Sequence, residues 1–331
     1  MRSTDTWTDA VVHSLHDLTP TVREFHIEPL AQRALPAAPG SHLPVQVLVD
    51  GQPQLRSYSL VGEPDGSANH TYRIAVKRLD DGRGGSRAMW QLAVGDRLRI
   101  GEPQNHFVLD LTAPAYLLVA GGIGITPLVG MAQAVARLAT HGRQVRMLYG
   151  ARTADELAYA PLLRDALGDA LQTVLSTAGD RIDFDAEIAA LPAGGHMVVC
   201  GPVPMLDAAR RAWMAAGRPL GDLRYETFGS SGRFAPQAFR VVLPRHQVDL
   251  LVPTGSSLLD ALEAAGVPTL SDCRRGECGL CAMDIVSVTG EVDHRDVFLS
   301  EHEKQKNTRI CACVSRVVGE ITLDSAYRSD S

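Results

Sequence analysis

The sequence predicts a multidomain chain of mixed α/β and β class. A small antiparallel β-barrel comes first, a doubly wound parallel α/β sheet second, and a small domain built around a cysteine loop last. Three observations predict this. Up to about residue 110, short alternating strands are bounded by turn formers, and few helical patterns intervene. From Ala115 the rhythm changes to strand and helix in turn. Five of the six cysteines (Cys273, Cys278, Cys281, Cys311 and Cys313) fall within the last 60 residues.

In the first segment Val45 to Asp50 leads into an Asp50-Gly51 turn, Thr71 to Lys77 alternates in and out, and Leu98-Arg99-Ile100 closes the set. In the second, Tyr116 to Ala120 is a buried strand, and Pro127 to Leu138 is a helix opened by proline at its first turn. Further strands run over Val145–Tyr149, Leu171–Ser176 and Met197–Cys200. Gly229 to Pro236 is rich in turn formers and reads as a linker. Beyond it Phe239–Leu243 and Val248–Val252 form a hairpin pattern, and Ser257–Ala265 a helix. The expected boundaries are 1–110, 111–229, a linker at 230–236, and 237–331.

Composition narrows the functional classes. With 331 residues there is room for two or three cores. The net charge of −6 argues against a nucleic-acid partner, which calls for a basic face. Met1 to Asp9 is polar and does not read as a signal peptide, so the expected compartment is the reducing cytoplasm. Between Asp110 and Arg137 lie 26 residues without an acidic or basic side chain. That is long enough to span a bilayer, but the glycine turn at its centre points to strand, turn and helix, and no membrane is expected.

Cys273-Arg274-Arg275-Gly276-Glu277-Cys278-Gly279-Leu280-Cys281 has the spacing C-x₄-C-x₂-C, with Cys311 and Cys313 further on. Four thiolates so spaced form the plant-type [2Fe–2S] arrangement. A loop that aims backbone N–H groups at the sulfurs needs glycines such as Gly276 and Gly279. A zinc site would call for paired C-x₂-C knuckles, and one such pair is present. The fourth ligand is ambiguous on spacing. Ile310 to Val314 alternates like a strand, and the expectation is that the two thiols face opposite sides, so that one alone reaches iron.

Gly122-Ile123-Gly124-Ile125-Thr126-Pro127 follows a buried strand and opens a helix, the place where a backbone can approach a pyrophosphate. Pro127 replaces the last glycine of the usual dinucleotide fingerprint. Cys200-Gly201-Pro202 ends a later strand, where ligands bind in such sheets. Arg56-Ser57-Tyr58-Ser59 places a cation and a ring on one strand face, suited to a phosphate and a flat ring system. Asp81-Gly82-Arg83-Gly84-Gly85-Ser86, before a short helical pattern through Trp90, is a second candidate phosphate cradle.

In this order the four motifs resemble the phthalate dioxygenase reductase family, which includes the reductases of vanillate demethylases; the resemblance covers essentially the whole chain. It implies an FMN-binding barrel, an NADH-binding middle domain and a C-terminal β-grasp ferredoxin domain. By resemblance Arg56, Ser57, Tyr58 and Ser59 meet the flavin, with Ala75-Val76-Lys77 and Gly84-Gly85-Ser86. Gly121 to Pro127 and Cys200-Gly201-Pro202-x-x-Met205 match the nicotinamide and pyrophosphate turns. Glu226-Thr227-Phe228-Gly229 matches the segment that closes over the flavin, with Phe228 as ring cover. The family's fourth cysteine precedes Val-Ser-Arg, here Cys313 before Val314-Ser315-Arg316, which leaves Cys311 as a departure.

The chemistry is coherent. A nicotinamide gives two electrons as hydride, an iron–sulfur cluster takes one at a time, and a flavin between them handles both. No catalytic side chain is required. The resemblance further implies a partner, the terminal oxygenase of a Rieske-type non-haem iron system, and the chain is expected to be a monomer. Reduction of another acceptor, such as a haem monooxygenase, and service as a redox sensor are the alternatives, the latter disfavoured by the nucleotide motifs. Arg152 suits a 2′-phosphate while Asp155 and Glu156 oppose one, so NADH is expected over NADPH. From Gln237 onward 14 acidic residues face 10 basic ones. Glu291, Asp293, Asp296, Glu301 and Glu303 are expected to form an acidic docking surface.

Overall fold

The computed structural model describes residues 7–31, 34–49, 51–62, 71–80, 84–139, 142–228, 234 and 237–324. Asp50, Asp81 to Arg83 and most of the linker (229–233, 235 and 236) lie outside them. The chain divides into two compact units. Of the described residues, one unit takes those up to Asp80, those from Gly84 to Gly201 and those from Ala208 to Glu226; the other takes 202–207 and those from Thr227 on.

The first unit opens with β1 (Thr8–Thr19), β2 (Val22–Pro29), β3 (His42–Val49), β4 (Gln52–Ser59), β5 (Tyr72–Lys77), α1 (Gly85–Gln91) and β6 (Arg97–Ile100). The strand order is β4-β3-β6-β1-β2-β5, antiparallel throughout. A bridge between Leu60 and Ile74 joins the chain beyond β4 to β5, the opposite edge, and curls the sheet into a barrel. Phe25, Ile27, Leu43, Val45, Ile74, Met89 and Ile100 fill it. The sequence reading missed β1 and β2. In β1 the alternation breaks at irregularities between Val12 and Ser14 and between Asp17 and Thr19, which resets the two-residue period that marks a strand.

The same unit continues with β7 (Ala115–Gly121), α2 (Ile125–Ala139), β8 (Gln144–Ala151), α3 (Ala160–Leu167), β9 (Leu171–Leu175), α4 (Phe184–Ala190), β10 (His196–Cys200), the part of α5 (Val203–Ala215) from Ala208 on, and β11 (Leu223–Glu226). All five strands are parallel, in the order β11-β10-β7-β8-β9. From β7 the chain builds outward to β8 and β9, then returns to β10 on its other side. The switch point, where such sheets bind ligands, therefore falls between β7 and β10. Every residue of β7 is buried, as a central parallel strand requires. Gly122–Ala139 is long and apolar enough to cross a membrane, yet 61% of it is buried in the protein: it is a core helix.

The second unit contains β12 (Phe239–Leu243), β13 (Val248–Val252), α6 (Leu258–Ala264), β14 (Ala282–Asp293), α7 (Glu301–Lys306), β15 (Arg309–Cys311) and β16 (Arg316–Asp324). Its mixed sheet runs β13-β12-β16-β14-β15, with β12 and β16 parallel and the other pairs antiparallel. Leu258, Leu259 and Leu262 of α6 share a core with Phe239, Val241 and Ile321. This is a β-grasp arrangement. A capping box between Ser257 and Asp260 starts α6.

Candidate functional site

Three of the barrel motifs meet at α1. Gly85 opens this helix, and a Cβ there would lie 2.6 Å from Arg56 Nε, so the guanidinium stem of β4 rests on the helix start. At the other end Trp90 Nε1 donates to the carbonyl of Val76 in β5 at 3.0 Å. The helix thus ties the Arg56–Ser59 strand to the Ala75–Lys77 strand. Trp90, itself covered by the Arg23 guanidinium at 4.4 Å, was not singled out from sequence. Gly84 holds a φ of 78° at the helix entrance, against Val49. The Ser86 hydroxyl accepts from Leu79 N–H at 3.1 Å. Burial pushes the Tyr58 phenol upward against the opposing pull of Arg56, so this ring stays neutral at physiological pH. Ser59 is buried, while Ser57 is exposed.

The glycine turn and the Cys-Gly turn also converge. Ala120 and Cys200 are partners at the ends of β7 and β10. A Cβ on Gly124 would stand 2.2 Å from the Cys200 carbonyl oxygen and 2.9 Å from Gly201 N. Only a glycine permits that approach. Thr126 Oγ1 donates to the Ile123 carbonyl at 3.0 Å, and Thr126 and Pro127 are buried in the first turn of α2. Gly122 has a φ of 54° and no neighbour within 4 Å of a Cβ, leaving that side of the turn open. Pro202 stands just before α5, its carbonyl accepting from Met205 N–H at 2.9 Å.

The cysteine loop wraps its sulfurs as a cluster loop must. Cys273 Sγ accepts N–H groups from Arg275 (3.4 Å), Glu277 (3.5 Å) and Cys278 (3.4 Å). Gly276 and Gly279 have φ of 80° and 74°. A Cβ on Gly279 would strike the Phe298 ring at 2.2 Å. Cys281 and Cys313 are buried, with sulfurs 3.2 Å apart. Among the described residues no three His, Cys, Asp or Glu side chains are grouped so as to hold a single metal ion. Soft thiol donors and inward N–H groups fit a cluster whose charge is shared over several sulfurs.

The opposite-sides expectation for Cys311 and Cys313 fails. Residues two apart on a strand line one face, and the strand ends at Cys311, where Ser315 N–H turns back to the Cys311 carbonyl at 3.0 Å. Hydrogen bonds from both the Cys311 and Cys313 side chains hold the Cys281 thiol well below its usual range. The Val-Ser-Arg run is a structural clasp: Ser315 Oγ donates to Asp296, and Arg316 donates to the carbonyls of Gln237, Pro253 and Ser256.

Two supposed surface acids are interior. Asp293 is 1% exposed and bonded to Arg295 at 2.6 Å. Asp296, fully buried, accepts from Leu299 N–H at 2.9 Å. Glu303 caps α7 through Ser300. Glu291 and Glu301 remain exposed. Sequence reasoning also missed Glu277, whose Oε1 accepts Thr227 N–H at 2.9 Å and so ties the Thr227–Phe228 segment to the cysteine loop.

Comparison with known proteins agrees with this assembly. Residues 9–109 match the family model for the oxidoreductase FAD-binding domain, 118–211 that for the oxidoreductase NAD-binding domain, and 243–318 that for the 2Fe-2S iron-sulfur cluster binding domain. A heme-dependent oxidative N-demethylase beta subunit of Ectopseudomonas mendocina is 37% identical over 96% of this chain and 98% of its own. The 3-chlorobenzoate-3,4-dioxygenase reductase subunit of Comamonas testosteroni is 34% identical over 97% and 98%. The solved structure of phthalate dioxygenase reductase superposes with a TM-score of 0.75 at 31% identity, covering 96% of this chain and 98% of that one. With flavin, nicotinamide and [2Fe–2S] modules in one chain and full-length relatives of this kind, the chain belongs to the phthalate dioxygenase reductase family of NADH-dependent iron–sulfur flavoprotein reductases.

Proposed function

We propose that the chain takes hydride from NADH onto FMN and delivers electrons singly, through Cys273, Cys278, Cys281 and Cys313 and the cluster they hold, to the terminal oxygenase of a Rieske non-haem iron system. A bound flavin supplies the change from two-electron to one-electron chemistry. The residues bind and orient. Arg56 pairs with the flavin phosphate beside Gly84, Gly85 and Ser86, while Tyr58, Ser57, Ser59 and Ala75-Val76-Lys77 frame the ring. Gly122, Gly124, Thr126 and Pro127 cradle the pyrophosphate, and Cys200, Gly201 and Pro202 border the nicotinamide. The observation that carries the reading is the packing of Gly124 onto the Cys200 carbonyl, which brings the glycine turn and the Cys200-Gly201 turn together, backbone to backbone, at the switch point. FMN is favoured over FAD because Arg56 and the α1 start offer a terminus for a monophosphate. The reading further divides the chain at 1–110, 111–229, 230–236 and 237–331, and takes it as a cytoplasmic monomer that prefers NADH.

Anaerobic NADH should bleach both flavin and cluster absorbance in the iron-loaded protein, and cytochrome c should be reduced rapidly. A loaded protein that NADH leaves oxidised would end this reading. The 37% identity to a heme-dependent N-demethylase subunit favours one second reading, a haem oxygenase partner. Stopped-flow mixing of the reduced protein with each kind of oxygenase separates them: faster bleaching of a Rieske centre supports the first, and faster conversion of ferric to ferrous haem the second.

A further inference from the structure

We propose that Tyr159 and Glu24 are a positioning pair that fixes the nucleotide-side segment 151–160 on flavin-side strands β2 and β5, and so sets how nicotinamide is presented to flavin. The proposal rests on the function above. The Tyr159 hydroxyl donates to Glu24 Oε2 at 2.6 Å, across 135 residues of sequence. Both side chains are buried, Tyr159 at 8% and Glu24 at 6% exposure. The same carboxylate lies 2.9 Å from His26 Nε2 and 3.8 Å from Arg73 Nε. Burial pushes the Glu24 carboxyl up, but these three neighbours outweigh it and keep it ionised.

Glu24 is the ladder partner of Ala75, and Lys77 stands two residues further along β5. Lys77 Nζ is 3.5 Å from Glu156. Two contacts, three residues apart on one segment, therefore grip the pair of strands that carries Ala75-Val76-Lys77. The segment begins at Ala151, where β8 ends beside the glycine turn of β7, on the ligand-binding edge of the sheet. Tyr159 also holds a φ of 62°, a left-handed conformation that a bulky residue keeps only when its surroundings hold it there.

Tyr159→Phe removes the donor and little volume. Hydrogen exchange without nucleotide should show residues 151–160 losing about tenfold in protection while the barrel core is unchanged, as expected of a local opening. In the FMN-loaded protein, flavin reduction at saturating NADH should slow on the order of tenfold, since small misplacements of reacting groups are that costly. The NADH dissociation constant and flavin-to-cluster transfer should stay near native. Glu24→Gln keeps an acceptor and should stay within about threefold of native, a loss consistent with trading a charged hydrogen bond for a neutral one. Native exchange and native limiting rate in Tyr159→Phe would overturn the proposal. So would a loss of protection spread over the whole unit, or equal damage from both variants. A native protein whose flavin NADH cannot reduce would count against the function itself, whereas the exchange result judges the pair without it.

Discussion

Cys281 Sγ lies 3.2 Å from Cys313 Sγ, both sulfurs buried, while Cys311, also buried, pairs across the ladder with Ala282 next to them. Its nearness to Cys281 and the match at Val314-Ser315-Arg316 together support Cys313 as the fourth ligand we propose. Cys311→Ser should retain iron and the visible spectrum while losing roughly 1 kcal/mol of stability for a more polar buried group. Cys313→Ser should lose both iron and colour. Iron content and absorbance decide it, and the reverse pattern would reassign the ligand.

Gly124→Ala tests the paired nucleotide turns. The added Cβ meets backbone atoms of Cys200 and Gly201, which cannot swing aside as a side chain could. Such overpacking costs about 1–3 kcal/mol. The variant should keep its flavin and remain reducible by dithionite, yet bind NADH at least tenfold more weakly. Unchanged NADH titration would remove this pair of turns from the nucleotide site.

The flavin is expected to be FMN, released by acid and identified by chromatography. Arg56→Gln should weaken its binding about tenfold or more, the scale of a lost charge-assisted hydrogen bond. Gly85→Ala should act in the same direction, because its Cβ would displace the Arg56 side chain. Release of an AMP-bearing flavin would contradict the monophosphate assignment at α1.

Much of this was legible in sequence because local chemistry dictated it. Cys273 to Cys281 declares its chemistry by spacing, and the apolar run through β7 and α2 by its period. Ser257 and Asp260 mark the start of α6. What was not legible depends on pairing between distant residues. β1 hides its strand period behind irregularities near Ser14 and Thr19. β11 is four residues long and gains its identity from lying beside β10. The buried states of Asp293 and Asp296 follow from Arg295, Ser315 and the Leu299 N–H reaching them in three dimensions; in one dimension they look like any surface acid.

Asp296 gives the C-terminal unit a predictable acid sensitivity. Burial pushes its carboxyl up, but His294, the Leu299 N–H and Lys304 prevail and hold it below the usual carboxylate range. A carboxyl whose folded value is depressed adds stability above its unfolded value, about pH 3.9, and that stability is lost as pH falls through the folded value. Thermal unfolding of wild type and Asp296→Asn, measured from pH 7 down to about pH 3, should show the gap between them narrowing on acidification. A gap independent of pH would mean that the charge of Asp296 contributes nothing.

Docking of an oxygenase on the C-terminal unit would have a readable salt signature. With Asp293 and Asp296 buried, the acidic character expected of this face rests on fewer groups, chiefly Glu301 and Glu291. Beside the cluster loop stand two exposed apolar side chains, Leu280 at 50% and Phe298 at 43%, the latter packed on Gly279. Apolar contact and a thin acidic rim divide the labour differently. The apolar pair would set how long the complex lasts, while the rim would set how often partners meet, and salt screens only the rim. Electron transfer to the oxygenase should therefore slow as ionic strength rises, while NADH-to-ferricyanide turnover, which need not use this face, changes much less. Glu301→Gln should flatten the salt dependence without altering flavin reduction. Asp296→Asn, which changes an interior group, should leave the slope of that dependence as it was. Phe298→Ala should slow transfer equally at low and high salt. If both assays responded alike to salt, or if Asp296→Asn flattened the slope as much as Glu301→Gln, docking through this acidic rim would be wrong.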